Sequence, residues 1–260
     1  MPGPAGRCAR RVALALALVL GLARCAAVRP PPPATAAVPP GQVAELTRRW
    51  AAEWETFPGL RAVIDLTVKN RGRSERSAAV LLVAPTALRV EVTAPFGLPA
   101  VVATAGPDEI TIYRVLERQV HTARPSPAAV GRWLGVPLPP ETLIRLLVGN
   151  VPTPADPRAI TSESAPTPHL AWSEDGARYR VWVTAEGRPV RLLLEATGGE
   201  RLVAGFTWGA SGGGLSEVRV EAPDREALLA VRYLSAEYVQ NPAEAFRLLL
   251  PPDVPVQRLD

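Results

Sequence analysis

Few residues in this chain could carry covalent chemistry. The 260-residue sequence holds two histidines and two cysteines. His121 and His169 fall on or beside predicted strands, and neither has His, Cys, Asp or Glu neighbours at metal-ligand spacing. Cys8 and Cys25 both lie near the N-terminus, so the body of the chain has neither a thiol nucleophile nor a disulfide framework. Ser173-Glu174-Asp175 and Asp108-Glu109 place carboxylates side by side, as acid-base work requires. Both runs read as turns between strands, where such groups are solvated. Gly209-Ala210-Ser211-Gly212-Gly213-Gly214 is rich in glycine but lacks the Lys-Ser/Thr of a phosphate loop, and it reads as slack in a hairpin. These residues predict a binding protein: no enzyme, no metal, no cofactor.

The one cysteine with a recognisable setting is Cys25. Arg7, Arg10 and Arg11 form a basic start, and Val12 to Ala23 is an apolar run too short to span a bilayer. Leu22-Ala23-Arg24-Cys25 resembles a bacterial lipoprotein signal, in which the chain is cut before a cysteine that is then acylated. Leu22 and Ala23 fit that pattern, and Arg24 stands where a small residue is usual. The alternative is ordinary cleavage near Ala27 and a soluble periplasmic product. Val28 to Gly41, with Pro30 to Pro33 and Pro39-Pro40, is a Pro/Ala linker without core-forming residues. The reading is a signal over 1–24, a tether over 25–41 and one domain over 42–260. With 47% hydrophobic residues, that domain can bury a core of its own. The net charge of +4 comes from arginines scattered over strand faces, with Lys69 the lone lysine. No aromatic-interleaved basic patch is present, which argues against nucleic acid as a partner.

Periodicity supplies the elements. Val43, Leu46, Trp50, Trp54 and Phe57 recur at helical steps, predicting an amphipathic helix over Gln42 to Phe57 that Pro58-Gly59 stops. Its Trp50 and Trp54 suit either a core stripe or the lid of an apolar cavity. Alternation then predicts strands at 60–70, 76–84, 88–94, 99–105, 109–114 and 117–122. Two short helices follow, at 126–134 and 140–148, and a Pro-rich loop at 151–168. Further strands are predicted at 169–172, 178–184, 190–196, 201–208, 215–222 and 228–239. Short loops make neighbours antiparallel. About twelve strands with helices at the start and middle describe a curved sheet or open barrel, its concave side covered by helices. Between two of the strands, Pro95 and Gly97 hold Phe96 at the tip of a turn. That residue is either a plug folded onto the core or a projecting apolar finger.

In order and spacing, residues 42 to 255 resemble the LolA/LolB-like family of lipoprotein carriers and outer-membrane receptors, closer to LolB. Leu88 to Leu98 is similar to that family's strand and Pro-Leu-Gly turn, here Pro95-Phe96-Gly97. Leu134-Gly135-Val136-Pro137-Leu138-Pro139, followed by Leu143, Leu147 and Gly149, is similar to its helical segment. Phe246 to Pro252 is similar to its C-terminal ending. The resemblance implies an α+β fold: an incomplete antiparallel barrel of about 11–12 strands with a helical lid over a hydrophobic cavity. It implies a monomer anchored to the outer membrane through Cys25, facing the periplasm. Such a protein binds lipid or acylated lipoproteins handed on by a LolA-like carrier. Pro95, Phe96, Gly97 and Leu98 would form the membrane or cargo insertion loop. Val80, Leu82, Val90, Val92, Ile110, Leu143, Leu147, Trp50 and Trp54 are the expected cavity wall. Burial of each methylene would contribute about 0.8 kcal/mol. A second reading keeps the fold but fills the barrel with its own side chains, leaving an envelope scaffold whose Pro-rich loop binds a protein partner.

Overall fold

The alternating stretches pair into one continuous sheet. A computed structural model describes residues 35–94, 97–164, 167–209 and 213–259. The first six strands are β1 (Leu60–Asn70), β2 (Arg73–Ala84), β3 (Ala87–Thr93), β4 (Pro99–Ala105), β5 (Ile110–Arg114) and β6 (Gln119–Ala123). After the helical segment come β7 (Thr161–Glu163), β8 (His169–Glu174), β9 (Ala177–Val183), β10 (Pro189–Ala196), β11 (Arg201–Trp208), β12 (Leu215–Ala222) and β13 (Ala227–Tyr238). The last is β14 (Val256–Arg258). Their order across the sheet is β14-β6-β5-β4-β3-β2-β1-β13-β12-β11-β10-β9-β8-β7, which is open at both edges. Neighbours are antiparallel except β14, which runs parallel to β6. The sheet has 14 strands rather than about twelve. The additions, β7 and β14, have three residues each, too few to display a period.

Because the strands run as two meanders joined through β1 and β13, their turns collect at two ends. One end, here the hairpin end, carries the β1–β2, β3–β4, β5–β6, β8–β9, β10–β11 and β12–β13 turns. The other, the mouth end, carries the β2–β3, β4–β5, β9–β10 and β11–β12 turns, the start of β1 and the finish of β13.

Three helices pack on the concave side: α1 (Pro40–Glu55), α2 (Pro127–Leu134) and α3 (Pro140–Leu147). Pro40 occupies the first turn of α1, where a missing N–H costs nothing. Ser126 caps α2 by accepting from the Ala129 N–H at 3.1 Å, and Gly135 ends it with φ 78°. In α3, Thr142, Leu143, Ile144, Leu146 and Leu147 are all buried, so the helix is enclosed on most of its circumference. Residues 34–260 form one compact unit with one continuous hydrophobic core, so this unit carries its own stability. Packing begins ahead of α1. The Ala36 N–H donates to Val183 O at 2.9 Å, and Ser162 Oγ donates to Val38 O at 2.7 Å.

Register decides which face of each strand looks inward. Leu88, Val90 and Val92 of β3 stand opposite Val83, Leu81 and Ala79 of β2, and all six contribute to the core or pack against it. Val80 and Leu82 stand opposite Glu91 and Arg89 on the outer face. The expectation that Val80 and Leu82 line an internal cavity is therefore corrected: a shift of one residue moves a side chain to the other face of the sheet. Leu81 is 1% exposed. Leu81→Ala is expected to cost about 2–4 kcal/mol and Val80→Ala less than about 1 kcal/mol in chemical denaturation, since only the first leaves a core cavity. Equal losses would refute this register.

The outer face is partly covered by the chain's own C-terminal segment. Asn241 Nδ2 donates to Leu60 O and Val83 O at 3.2 and 3.1 Å. Arg89 Nη1 donates to Ala245 O and Arg247 O at 3.1 and 3.0 Å, and the Leu259 N–H to Thr122 O at 2.8 Å. Outside the main core, Val102, Val120 and Val254 are buried as well. Further along the outer face, hydrogen bonds from Arg232 and then Arg76 hold the Asp65 carboxyl below the usual carboxylate range, linking β13, β1 and β2.

Candidate functional site: an aromatic cleft at the mouth end

The residues expected to line a cavity are dispersed by the fold. Ile110, Leu143 and Leu147 are fully packed core residues, and Val90 and Val92 lie partly buried against that core. None of these five lines the cleft described next, whereas Trp50 and Trp54 do. Cys25, Pro95 and Phe96 lie outside the described residues. Gly97, with φ 80°, and Leu98, 62% exposed, close the β3–β4 turn at the hairpin end. There the Ala94 N–H donates to Leu98 O at 2.7 Å and the Gly97 N–H to Ala94 O at 3.1 Å.

The cleft encloses about 430 Å³ at the mouth end. Helix α1 places its aromatic stripe along one wall: Trp50, Trp54 and, just beyond the helix, Phe57. Trp54 and Phe57 stack with centroids 5.6 Å apart and planes 9° apart. Tyr238, at the end of β13, meets Phe57 edge-on at 6.3 Å. Trp208, the last residue of β11, lines the cleft as well, with the Arg188 guanidinium 5.2 Å from its ring centroid. The Arg145 guanidinium lies 4.3 Å from the Trp54 ring centroid.

Two of these aromatics have their indole N–H bonded within the protein. Trp50 Nε1 donates to Gly187 O at 3.1 Å, and Trp208 Nε1 to Pro189 O at 2.7 Å. Asn150 Nδ2 donates to Trp50 O at 3.1 Å, tying the end of α3 to α1. Arg49 Nη2 donates to Glu186 O at 2.8 Å, and Arg188 Nη1 to Gly213 O at 2.9 Å. Gly149 permits the close approach of α3 to Trp208. Its φ is 75°, and a Cβ there would lie 2.6 Å from the indole ring. Burial pushes the Arg145 pKa below its ordinary value, and burial pushes the Tyr233 phenol up. The Tyr233 hydroxyl donates to Leu147 O, fixing α3 to β13.

The arrangement can bind but offers little for catalysis. Glu53 is the only carboxylate among the described lining residues, and no histidine or cysteine lines the cleft. The histidines lie elsewhere. His121 packs on Trp133 at 5.2 Å, and His169 on Trp182 at 5.2 Å, with His169 Nε2 3.1 Å from Glu163 Oε2. Among the described residues no group of three His, Cys, Asp or Glu could hold a metal ion, and no helix is long and apolar enough to cross a membrane. Sequence reasoning found Trp50 and Trp54 but missed Trp208, Tyr238 and Arg188. Each stands next to a turn, at a strand end or beside Gly187, and such positions carry no periodic signal.

No family model and no curated protein matches this sequence. Solved structures do resemble the fold. A LolA superfamily protein from Nitrosomonas europaea superposes with a TM-score of 0.52 at 11% identity, covering 79% of this chain and 97% of that one. A DUF1329 family protein from Desulfovibrio piger superposes with a TM-score of 0.51 at 11% identity, covering 79% of this chain and 95% of that one. The chain has a LolA/LolB-like fold.

Proposed function

We propose that this is a non-catalytic lipoprotein of the cell envelope that binds acyl chains and receives or inserts lipoproteins. Residues 1–24 are its signal, Cys25 its acylated anchor and 25–41 its tether to the outer membrane. The fold supports an envelope lipid-binding role. The single observation that carries the reading is the aromatic cleft, which offers an aromatic shelf open to solvent with the Trp50 and Trp208 N–H groups already bonded within the protein. An acyl chain laid along Trp54, Phe57 and Trp208 exchanges water for hydrocarbon contact while the Trp208 N–H keeps its partner in the protein. The Pro95-Phe96-Gly97-Leu98 segment serves as the membrane or cargo insertion loop, and its described residues Gly97 and Leu98 stand at the opposite end of the sheet.

Fluorescence quenching tests this directly. Trp50, Trp54 and Trp208 are three of the six tryptophans. Brominated fatty acid added to residues 34–260 should quench a saturable part of the emission. Trp208→Ala should weaken the apparent affinity about ten-fold, the loss of one aromatic contact. Absence of saturable quenching would remove the acyl-binding reading. It would leave the scaffold alternative, which the close packing of Leu143, Ile144, Leu146 and Leu147 inside the sheet favours. The anchor is tested separately by palmitate labelling, expected on the natural chain and absent from Cys25→Ser.

A further inference from the structure

The hairpin end presents features that acyl binding at the mouth end does not use. Leu98 and Leu116 are 62% and 69% exposed at the tips of adjacent hairpins, β3–β4 and β5–β6. The two tips are held level by the Val115 N–H donating to Ala100 O at 2.9 Å. Two strands separate successive tips, about 10 Å. Next in line is the β1–β2 hairpin, whose first β2 residues are exposed. Residues 69–75 and 114–118 together contain five cations and two carboxylates. Arg114 pairs with Glu117. Lys69, Arg71, Arg73 and Arg118 make no ion pair among the described residues, although ion pairs are frequent elsewhere on this surface. Across the same end, the β8–β9, β10–β11 and β12–β13 turns are acidic or internally paired: Glu174 and Asp175, Arg225 with Glu200, and Arg201 with Asp224.

We infer that the β1–β6 half of the hairpin end docks on a bilayer containing anionic lipid, with Leu98 and Leu116 entering the interface and Lys69, Arg71, Arg73 and Arg118 meeting the headgroups. Exposed leucine pays for itself where hydrocarbon replaces water, and an unpaired guanidinium gains from a negative surface potential. Arginine suits this role because its donor fork matches phosphate oxygens. The acidic half turns away from such a surface, which fixes the tilt of the domain. This inference rests on the membrane-facing role of the β3–β4 turn but not on the cleft, and it adds the lipid chemistry and a second hairpin.

Flotation of residues 34–260 with vesicles tests it, using phosphatidylcholine alone and phosphatidylcholine mixed with phosphatidylglycerol. Binding is expected only to the mixed vesicles, and it should fall as salt is raised. Arg71→Gln, Arg73→Gln and Arg118→Gln should each lower partitioning about five-fold and together about a hundred-fold. Leu116→Ser should lower it as well, without changing thermal unfolding. Equal binding to neutral and anionic vesicles, lost in Phe96→Glu, would overturn the anionic preference while leaving the insertion loop standing. No binding to either vesicle would overturn both. Salt-sensitive binding that survives Leu98→Ser with Leu116→Ser would reduce the face to a charge patch and overturn the insertion.

Discussion

Trp50→Ala is expected to lower the free energy of unfolding by about 3–5 kcal/mol, among the largest losses available from one side chain in this fold. Trp50 is 2% exposed. Its indole N–H is spent on Gly187 O and its backbone carbonyl on Asn150, so one residue joins α1 to the β9–β10 turn and to the end of α3. Truncation leaves a cavity and at the same point takes from Gly187 O the shorter of its two hydrogen bonds, the other coming from Arg49 Nη2 at 3.3 Å. Trp54, one helical turn later, is only partly buried and lies between Arg145 and Phe57 at the cleft. Trp54→Ala should cost about 1 kcal/mol in stability and act mainly on ligand binding. Urea unfolding of the two variants beside the parent chain checks the contrast. Equal losses would mean that α1 does not seal the mouth end through Trp50.

Gly59→Ala should be as severe for a different reason, a loss of about 3–5 kcal/mol that combines backbone strain with overpacking. Gly59 has φ 129°, a conformation other residues avoid. An added Cβ would lie 2.6 Å from Val239 O and 2.9 Å from Val83 O. Both are backbone atoms, one in β2 and the other just past the end of β13, so neither can swing aside like a side chain. Val83 O also accepts a hydrogen bond from Asn241, and the Val239 N–H donates to Gly59 O at 3.1 Å, so a shift here strains both. Gly97→Ala is the control. Gly97 also has positive φ, 80°, but nothing among the described residues lies within 4 Å of its would-be Cβ. Its cost should stay at about 1–2 kcal/mol, the intrinsic penalty of the left-handed region. A Gly59→Ala protein as stable as Gly97→Ala would refute the packing at the start of β1.

These contrasts also mark where the sequence could be read. Leu88-Arg89-Val90-Glu91-Val92 writes its parity in charges, and the inward set is the apolar one. Ala78 to Ala84 is apolar at every position, so either alternate set could face the core. The hydrogen-bond register with β1 and β3, which a single strand does not encode, makes the choice. Helix α3 poses the same difficulty. Leucines on most of its sides suit a cavity wall and a packed interior equally well, and here they are packed. The cleft was legible only along α1, where Trp50 and Trp54 share a helical face. Its other wall depends on Trp208 and Arg188, which tertiary structure alone brings beside that helix. The cover over the outer face was hidden as well, because the C-terminal segment binds there largely through irregular backbone and arginine donors.

The two boundary strands have a consequence for behaviour at high concentration. A sheet this wide would normally offer long rows of unpaired amides on which another chain could grow. Here the rows at β7 and β14 extend for three residues each. Prolines stand close on both sides: Pro157 and Pro168 around β7, Pro251, Pro252 and Pro255 before β14. Proline supplies no donor for a growing ladder, and so short a template gives an incoming strand little to hold. The fold thus limits fibre-like polymerisation: copies that meet at high concentration find only short, proline-flanked edges along which to join.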